Sequence, residues 1–269
     1  MKIQKEGIKK FQKTVWDFYK RNKRNFPWRQ TKDPYKILVS EIMLQQTQTD
    51  RVVNYYKKWL KRFPDFASLS QATFSEIYPF WQGLGYNRRA LALKKIAEKT
   101  VEAYKGKLPK DPEILEMLPG IGEYTARAVS IFSYNTPVAC IETNIRRVFI
   151  HHFFEGKKSV SDEQILKIAE RALPAGKVRQ WHYALMDYGA YLKTLRDAQG
   201  KPMPNPNRRH KNYTVQSKFE GSLRQIRGAV LQILSGEYTN SKLLIARVKK
   251  ATGQKTERIK KVISTLEKE

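Results

Sequence analysis

The chain is short of the residues that hold metal clusters and disulfide frameworks. Cys140 is its single cysteine in 269 residues, so neither a disulfide nor a four-cysteine cluster can form within one chain. The four histidines, His151, His152, His182 and His210, show no metal-ligand spacing with Cys or carboxylates. No run of about 18 apolar residues occurs, which argues against a spanning helix, and the charged start MKIQKEGIKKFQK reads as no secretory signal. Acids are also scarce. Against 52 Lys+Arg stand 25 Asp+Glu, a net charge of +27. That excess is the footprint of a polyanion partner, though a thermophile or a ribosome-associated protein could carry a merely basic surface. The expected setting is soluble and cytoplasmic, associated with the nucleoid, with no membrane partner.

What is present suits a folded protein: 41% hydrophobic and 12% aromatic residues, in a length that can bury one large core or two modest ones. The period is helical throughout, and the fold class expected is all-α. Ile8, Phe11, Val15, Phe18 and Tyr19 mark a helix over 8–21, and Asp33-Pro34 starts another that runs to Gln48. Further helices are expected near 50–62, 73–80, 88–104, 111–117, 123–134, 142–153, 161–171 and 178–190. The proline-rich stretch 200–213 reads as a linker or a basic surface loop. Three helices follow, over 216–235, 239–252 and 255–268, either a small winged-helix-like module or a plain helical cap. From 208 onward 15 Lys+Arg face 5 Asp+Glu, so this tail adds to the basic surface.

Two stretches carry the chemistry. In Ser40-Glu41-Ile42-Met43-Leu44-Gln45-Gln46-Thr47-Gln48 a carboxylate shares a helix face with Ile37, Leu38 and Leu44. Desolvation there would raise its pKa and let it act as a general acid; the alternative is a glutamate held in a structural ion pair. Gln45 and Gln46 could read base edges, or could simply be solvated surface. The second stretch, Leu118-Pro119-Gly120-Ile121-Gly122-Glu123-Tyr124-Thr125-Ala126, predicts a helix, a glycine turn and a second helix. Gly120 and Gly122 would let a phosphate backbone approach the N–H groups at that helix start. Twenty residues after Gly122 stands Glu142, at a probable helix start where first-turn N–H groups would keep it ionised. It could equally be only a cap. A protonated Glu41 and an ionised Glu142 would be the acid and the anionic partner that N-glycosidic cleavage needs.

With these residues assembled, the chain resembles the helix-hairpin-helix DNA glycosylase superfamily, and within it the adenine-excising (MutY-type) branch. The resemblance covers about residues 10–195. It is carried by Phe26-Pro27-Trp28-Arg29, Asp33-Pro34-Tyr35, Ser40 through Gln48, Trp81-Gln82-Gly83-Leu84-Gly85-Tyr86, Leu118 through Ala126, Thr143-Asn144 and Met186-Asp187-Tyr188-Gly189-Ala190. It implies base flipping and cleavage of the N-glycosidic bond in double-stranded DNA holding a mismatched or damaged pair. Glu41 then matches the glutamate that protonates adenine, Glu142 falls where the family has a catalytic aspartate, and Asn144 matches a supporting asparagine. Tyr124 stands where lyase-competent relatives have lysine, which implies a monofunctional enzyme. Arg24, Trp28, Leu44 and Asp187 match residues lining the adenine pocket. Gln45, Gln46 and Tyr86 match residues that enter the helix around the flipped nucleotide.

The resemblance also implies two lobes with DNA across the groove between them: a six-helix lobe over 29–137, a second lobe of 1–28 with 138–213, and an accessory module over 214–269, in a monomer. Three departures stand out. Glu142 replaces Asp and lengthens the arm by one methylene. Lys193 stands where the first cysteine of the family's iron–sulfur loop would fall, so no cluster and no cofactor is expected. The tail does not look like the β-rich domain with which the adenine branch reads 8-oxoguanine. The expected reaction is removal of adenine opposite guanine or 8-oxoguanine. Rivals are excision of thymine or uracil opposite guanine, a silent DNA-binding module, and a bifunctional lyase.

Overall fold

A computed structural model describes residues 5–215, 217–236 and 240–267. Among these, secondary structure is helical apart from two isolated β-bridges, Val160 with His210 and Arg196 with Pro202. In chain order the helices are α1 (Lys5–Asn22), α2 (Pro34–Leu44), α3 (Thr49–Arg62), α4 (Phe66–Gln71), α5 (Phe74–Trp81), α6 (Arg88–Tyr104) and α7 (Pro112–Glu116). After them come α8 (Glu123–Tyr134), α9 (Thr143–Phe153), α10 (Asp162–Arg171), α11 (Val178–Leu192), α12 (Leu223–Gly236), α13 (Ser241–Thr252) and α14 (Thr256–Leu266). Positions 216, 239 and 268 of the three expected tail helices lie outside the described residues.

The chain divides into two compact units, 1–42 with 104–214 and 43–103 with 215–269. This partition cuts the expected 29–137 lobe after residues 42 and 103 and joins the tail to the second unit. In the first unit α9 packs on α10 and α11, and α11 packs on α1. Phe11 of α1 anchors that core, its ring 4.9 Å from Phe153, 5.4 Å from Phe149 and 5.8 Å from Trp181. In the second unit α5 packs against both α3 and α12, and the Trp59 ring lies 5.5 Å from Trp81. There α12, α13 and α14 close a core of their own from Ile226, Val230, Leu244, Val248, Ile259 and Val262. Without strands among the described residues, this is a three-helix cap and not a winged module.

Two expected boundaries shift and one helix is added, each for a local reason. Helix α2 stops at Leu44, short of Gln48, because Gln46 turns to φ +57°. Helix α4 was not expected; Asp65 and Ser68 start it with a reciprocal capping box. Helix α12 begins at Leu223 because Gly221, at φ +75°, breaks the run before it. The 200–213 stretch is a loop docked on α9: Asn207 Nδ2 donates to the Thr143 carbonyl at 2.9 Å and Arg209 Nη2 to the Ile150 carbonyl at 3.2 Å.

Candidate active site and nucleic-acid interface

Helix α2 is apolar on nearly every face, and Ile37, Leu38, Val39, Ile42 and Met43 are all buried. It carries Glu41 into the core of the first unit, 6% exposed. The α7–α8 hairpin brings Tyr124 to it: the phenol donates to Glu41 Oε2 at 2.8 Å. Burial pushes the Glu41 carboxyl up to about 7. The Tyr124 hydrogen bond and the charge of Arg29 oppose that rise, and the charge of Glu142 adds to it. The Tyr124 phenol is itself driven well above its ordinary value, by burial first and then by Glu41. It therefore remains a donor. The hydrogen bond described for Glu41 thus comes from a phenol, not from an arginine as in a structural ion pair.

Glu142 is the N-cap of α9. Its Oε1 accepts the Asn144 and Ile145 backbone N–H groups, each at 2.8 Å, and its Oε2 accepts Asn144 Nδ2 at 3.2 Å. Asn144 Oδ1 in turn accepts Arg147 Nη1 at 2.8 Å, and the same nitrogen donates to the Gly189 carbonyl at 2.6 Å. Burial raises the Glu142 carboxyl; the Asn144 and Ile145 N–H groups and the Arg147 and Arg146 charges pull the other way. The expected cap is present, but desolvation is the larger effect, so Glu142 sits above the ordinary carboxylate value and not at it. The two carboxyls still differ in kind. Glu41 has one phenol donor in an apolar setting, whereas Glu142 has three N–H donors and two guanidinium charges nearby, the combination that favours an ionised partner.

The strand of chain leading to Glu142 is fixed by His182. Its Nε2 accepts the Cys140 N–H at 3.3 Å while Nδ1 lies 2.8 Å from the Val178 carbonyl, so the ring is neutral with its proton on Nδ1. Burial lowers it to about 4.

Asp187 lies deep in the first unit, 3% exposed. It accepts the Arg24 backbone N–H at 3.1 Å and Nε at 2.6 Å, and a fork from Arg29 at 2.8 and 2.9 Å. Arg29 was quoted only within a motif. The structure makes it a central member, stacked over the Tyr183 ring at 4.6 Å. Trp28 is buried and lies parallel to Phe26 at 5.1 Å. Arg24, Trp28 and Asp187 thus belong to the unit that holds Glu41, Tyr124, Glu142 and Asn144, while Leu44, Gln45, Gln46 and Tyr86 belong to the other.

In that second unit Arg89, which no motif in the sequence singles out, ties the end of α2 to the loop after α5. Its guanidinium donates to the Met43 carbonyl at 3.1 Å, the Leu84 carbonyl at 3.1 Å and the Gly85 carbonyl at 3.0 Å. Burial lowers it to about 10, which leaves it charged. Gln46 is exposed at φ +57° and Tyr86, 40% exposed, at φ +48°, so both tips stand in the left-handed region and point away from regular helix. At the hairpin, Gly120 turns at φ +82°, and Gly122 caps α8 without a side-chain acceptor. A Cβ on Gly122 would meet nothing within 4 Å, so the backbone at this glycine is open to close approach.

The family that the chain resembles has an iron–sulfur loop after α11, and the residues here do not fit one. Lys193 closes α11 and Cys140 is the chain's single thiol, buried ahead of α9. The loop in question is held by hydrogen bonds instead, with Asp197 Oδ1 accepting the Gln199 N–H at 3.0 Å and the Lys201 N–H at 2.8 Å.

Comparison with known proteins agrees with this geometry. Residues 39–175 match the family described as HhH-GPD superfamily base excision DNA repair protein. An adenine DNA glycosylase of Mycobacterium tuberculosis (strain CDC 1551 / Oshkosh) is 35% identical over 238 residues, which cover 81% of this chain and 76% of the relative. A thymine/uracil-DNA glycosylase of Methanothermobacter thermautotrophicus is 32% identical over 188 residues, covering 68% and 85%. The solved structure of a thermostable thymine-DNA glycosylase superposes with a TM-score of 0.65 at 31% identity, over 69% of this chain and 87% of that one. A trapped endonuclease III–DNA intermediate, at 17% identity and a TM-score of 0.62, covers 73% and 90% and shares the fold.

Proposed function

From the premise that the chain belongs to the HhH-GPD superfamily of base excision DNA repair proteins and is a DNA N-glycosylase, we propose that it is monofunctional, needs no cofactor, and removes adenine mispaired with guanine or 8-oxoguanine. One observation carries the reading: a buried carboxyl raised to about 7 and hydrogen-bonded by Tyr124, in the unit that also holds an N-capping carboxylate. Glu41 holds a proton near neutral pH and delivers it to a ring nitrogen of the flipped adenine. The N-glycosidic bond then breaks with its electron pair leaving on the base. Glu142 stabilises the cationic sugar until water attacks. Tyr124 carries no amine, so no Schiff base forms at that position. The adenine preference is supported by the 35% identical adenine DNA glycosylase.

The test is single-turnover base release from duplexes with A·8-oxoguanine, A·G, T·G and U·G, comparing wild type with Glu41→Gln and Glu142→Gln. Adenine release abolished by Glu41→Gln is the expected result. Borohydride should trap no enzyme on DNA, and the purified protein should contain no iron. A second reading, excision of thymine or uracil opposite guanine, rests on the thymine glycosylase structure at TM-score 0.65. Release of those bases in place of adenine would select it.

A further inference from the structure

The segment 205–211 is strapped across the start of α9, from which it is distant in sequence. A short 3-10 turn, Pro206–Arg209, carries it, and Asn205 caps that turn by accepting the Asn207 N–H on Oδ1 at 3.1 Å. The same Oδ1 accepts Arg147 Nε at 3.3 Å, across 58 positions of sequence. Arg147 donates onward to the Asn144 side-chain oxygen, and the Asn144 amide nitrogen donates to Glu142. A second route runs through Asn207, whose Nδ2 donates to the carbonyl of Thr143, the first residue of α9, across 64 positions. A third runs through Asp162 of α10, which takes a fork from Arg146 at 2.7 and 2.6 Å and lies 3.3 Å from His210 Nε2. The strap is itself clipped in place: the Val160 N–H donates to the Arg209 carbonyl and the Lys211 N–H to the Val160 carbonyl, each at 2.9 Å.

Every donor that Glu142 has in this turn belongs to Asn144 or Ile145. A first helical turn frays easily, because its N–H groups lack partners within the helix. A carboxylate held only by a fraying turn would wander by more than the roughly 1 Å that a reacting centre tolerates. The strap grips this turn on both sides of Asn144, at the Thr143 carbonyl before it and at the Arg147 guanidinium after it. Asn207 is 4% exposed, and its Oδ1 meets no donor among the described residues. A buried oxygen without a donor costs stability that an apolar side chain would not. What the amide supplies in return is its Nδ2, bonded to Thr143. We infer that Asn205 and Asn207 are positioning residues for base excision, holding the first turn of α9 so that the Glu142 carboxylate meets the cationic sugar at a fixed place. The inference rests on the glycosylase reading, and deepens it by adding two residues from outside the matched motifs to the machinery around Glu142.

The probe is a pair of duplexes bound by the full-length protein. One holds a pyrrolidine abasic analogue, cationic as the sugar is in the transition state, and the other the neutral tetrahydrofuran analogue. Wild type should prefer the cationic duplex by about tenfold or more, and Glu142→Gln should lose that preference. Asn205→Ala and Asn207→Leu should each lower it about three- to tenfold, with affinity for the neutral duplex within about twofold of wild type. Asn205→Asp, which keeps an acceptor for Arg147, should restore it. Arg208→Gln, on the exposed side of the same turn, should change both duplexes by one factor, as a lost phosphate contact does. Melting curves show that each variant folds, and the Asn205 pair carries the test should Asn207→Leu not. Single-turnover base release should slow in step with the preference. Its acid limb should move to higher pH, since a loosened turn withdraws N–H groups that favour the ionised Glu142. An unchanged preference in Asn205→Ala and Asn207→Leu would overturn the inference. So would an equal weakening of both duplexes, which marks a structural staple and nothing more. If Asn205→Asp behaves as Asn205→Ala does, the relay through Arg147 is refuted. Adenine released at the wild-type rate by both variants sinks the strap and keeps the glycosylase reading. A protein that tells the two duplexes apart through Asn205 and Asn207, yet releases no base, does the reverse.

Discussion

Glu41 sets a conflict between stability and chemistry that can be measured by pH. An acid raised from 4.5 to about 7 binds its proton more tightly in the folded state than in the unfolded chain. Folding stability from this group is therefore fully present below pH 4.5 and is lost as pH rises through 7, a cost of roughly 3 kcal/mol by alkaline pH. Glu41→Gln keeps an acceptor for the Tyr124 phenol and removes the titration. We expect it to be more stable than wild type by about 1–3 kcal/mol at pH 8 and nearly equal at pH 5, read by urea unfolding; an equal difference at both pH values would sink the assignment. Base release should show the same ionisation from the other side, falling about tenfold per pH unit above 7 as the acid loses its proton. His182 acts in the opposite direction. Its imidazole is lowered to about 4, so the unfolded chain takes up the proton first and stability falls as pH drops from 6.5 towards 4. His182→Gln should flatten that acid limb in urea unfolding, and, because Cys140 leads into Glu142, should also slow base release.

Helices hold these residues in place through very close contacts, and one of those contacts is unusually exposed to test. A Cβ added at Gly189 of α11 would collide with the Asn144 carbonyl oxygen and lie 2.6 Å from its carbonyl carbon. The first turn of α9 therefore rests directly on α11, and that turn is what presents its N–H groups to Glu142. Gly189→Ala would gain helix propensity of about 1 kcal/mol on an exposed surface. Here we expect a net loss of about 1–3 kcal/mol from overpacking, with base release slowed at least tenfold because the Glu142 carboxylate moves with α9. An alanine variant of wild-type stability and rate would show that α9 can shift freely. Such contacts explain what was legible beforehand. The α8 boundaries, the glycine turn and the cap at Glu142 are local, and the residue types alone specify them. Asp187 with Arg24 and Arg29 is a pairing across some 160 positions of sequence. Arg29 could be singled out only once α11 was seen against the chain ahead of α2. The same holds for Arg89, which reads as one more basic residue at a helix start until its carbonyl partners from 43, 84 and 85 are in view. Burial around Glu142 was misjudged for the same reason: its N–H donors are local, but the protein that desolvates it is not.

At the scale of the whole chain, 52 basic against 25 acidic residues govern affinity before any base is read. Each phosphate neutralised by Lys or Arg releases counterions, so the logarithm of the binding constant should fall linearly with the logarithm of salt, by about 0.9 per contact. With six or more contacts, affinity for duplex DNA should drop about a thousandfold or more between 50 and 200 mM salt. The tail offers a way to separate this charge effect from recognition. Lys249, Lys250, Lys260 and Lys261 are exposed on α13 and α14. Replacing all four by Gln should leave the three-helix core of Ile226, Val230, Leu244, Val248, Ile259 and Val262 untouched. We expect the salt slope to fall by about two, with equal loss of affinity for every opposite base, because a lysine on a phosphate carries no sequence information. If the lysine variant shifted the ranking of opposite bases instead, the cap would be reading bases through α13 and α14, and the tail would carry recognition as well as charge.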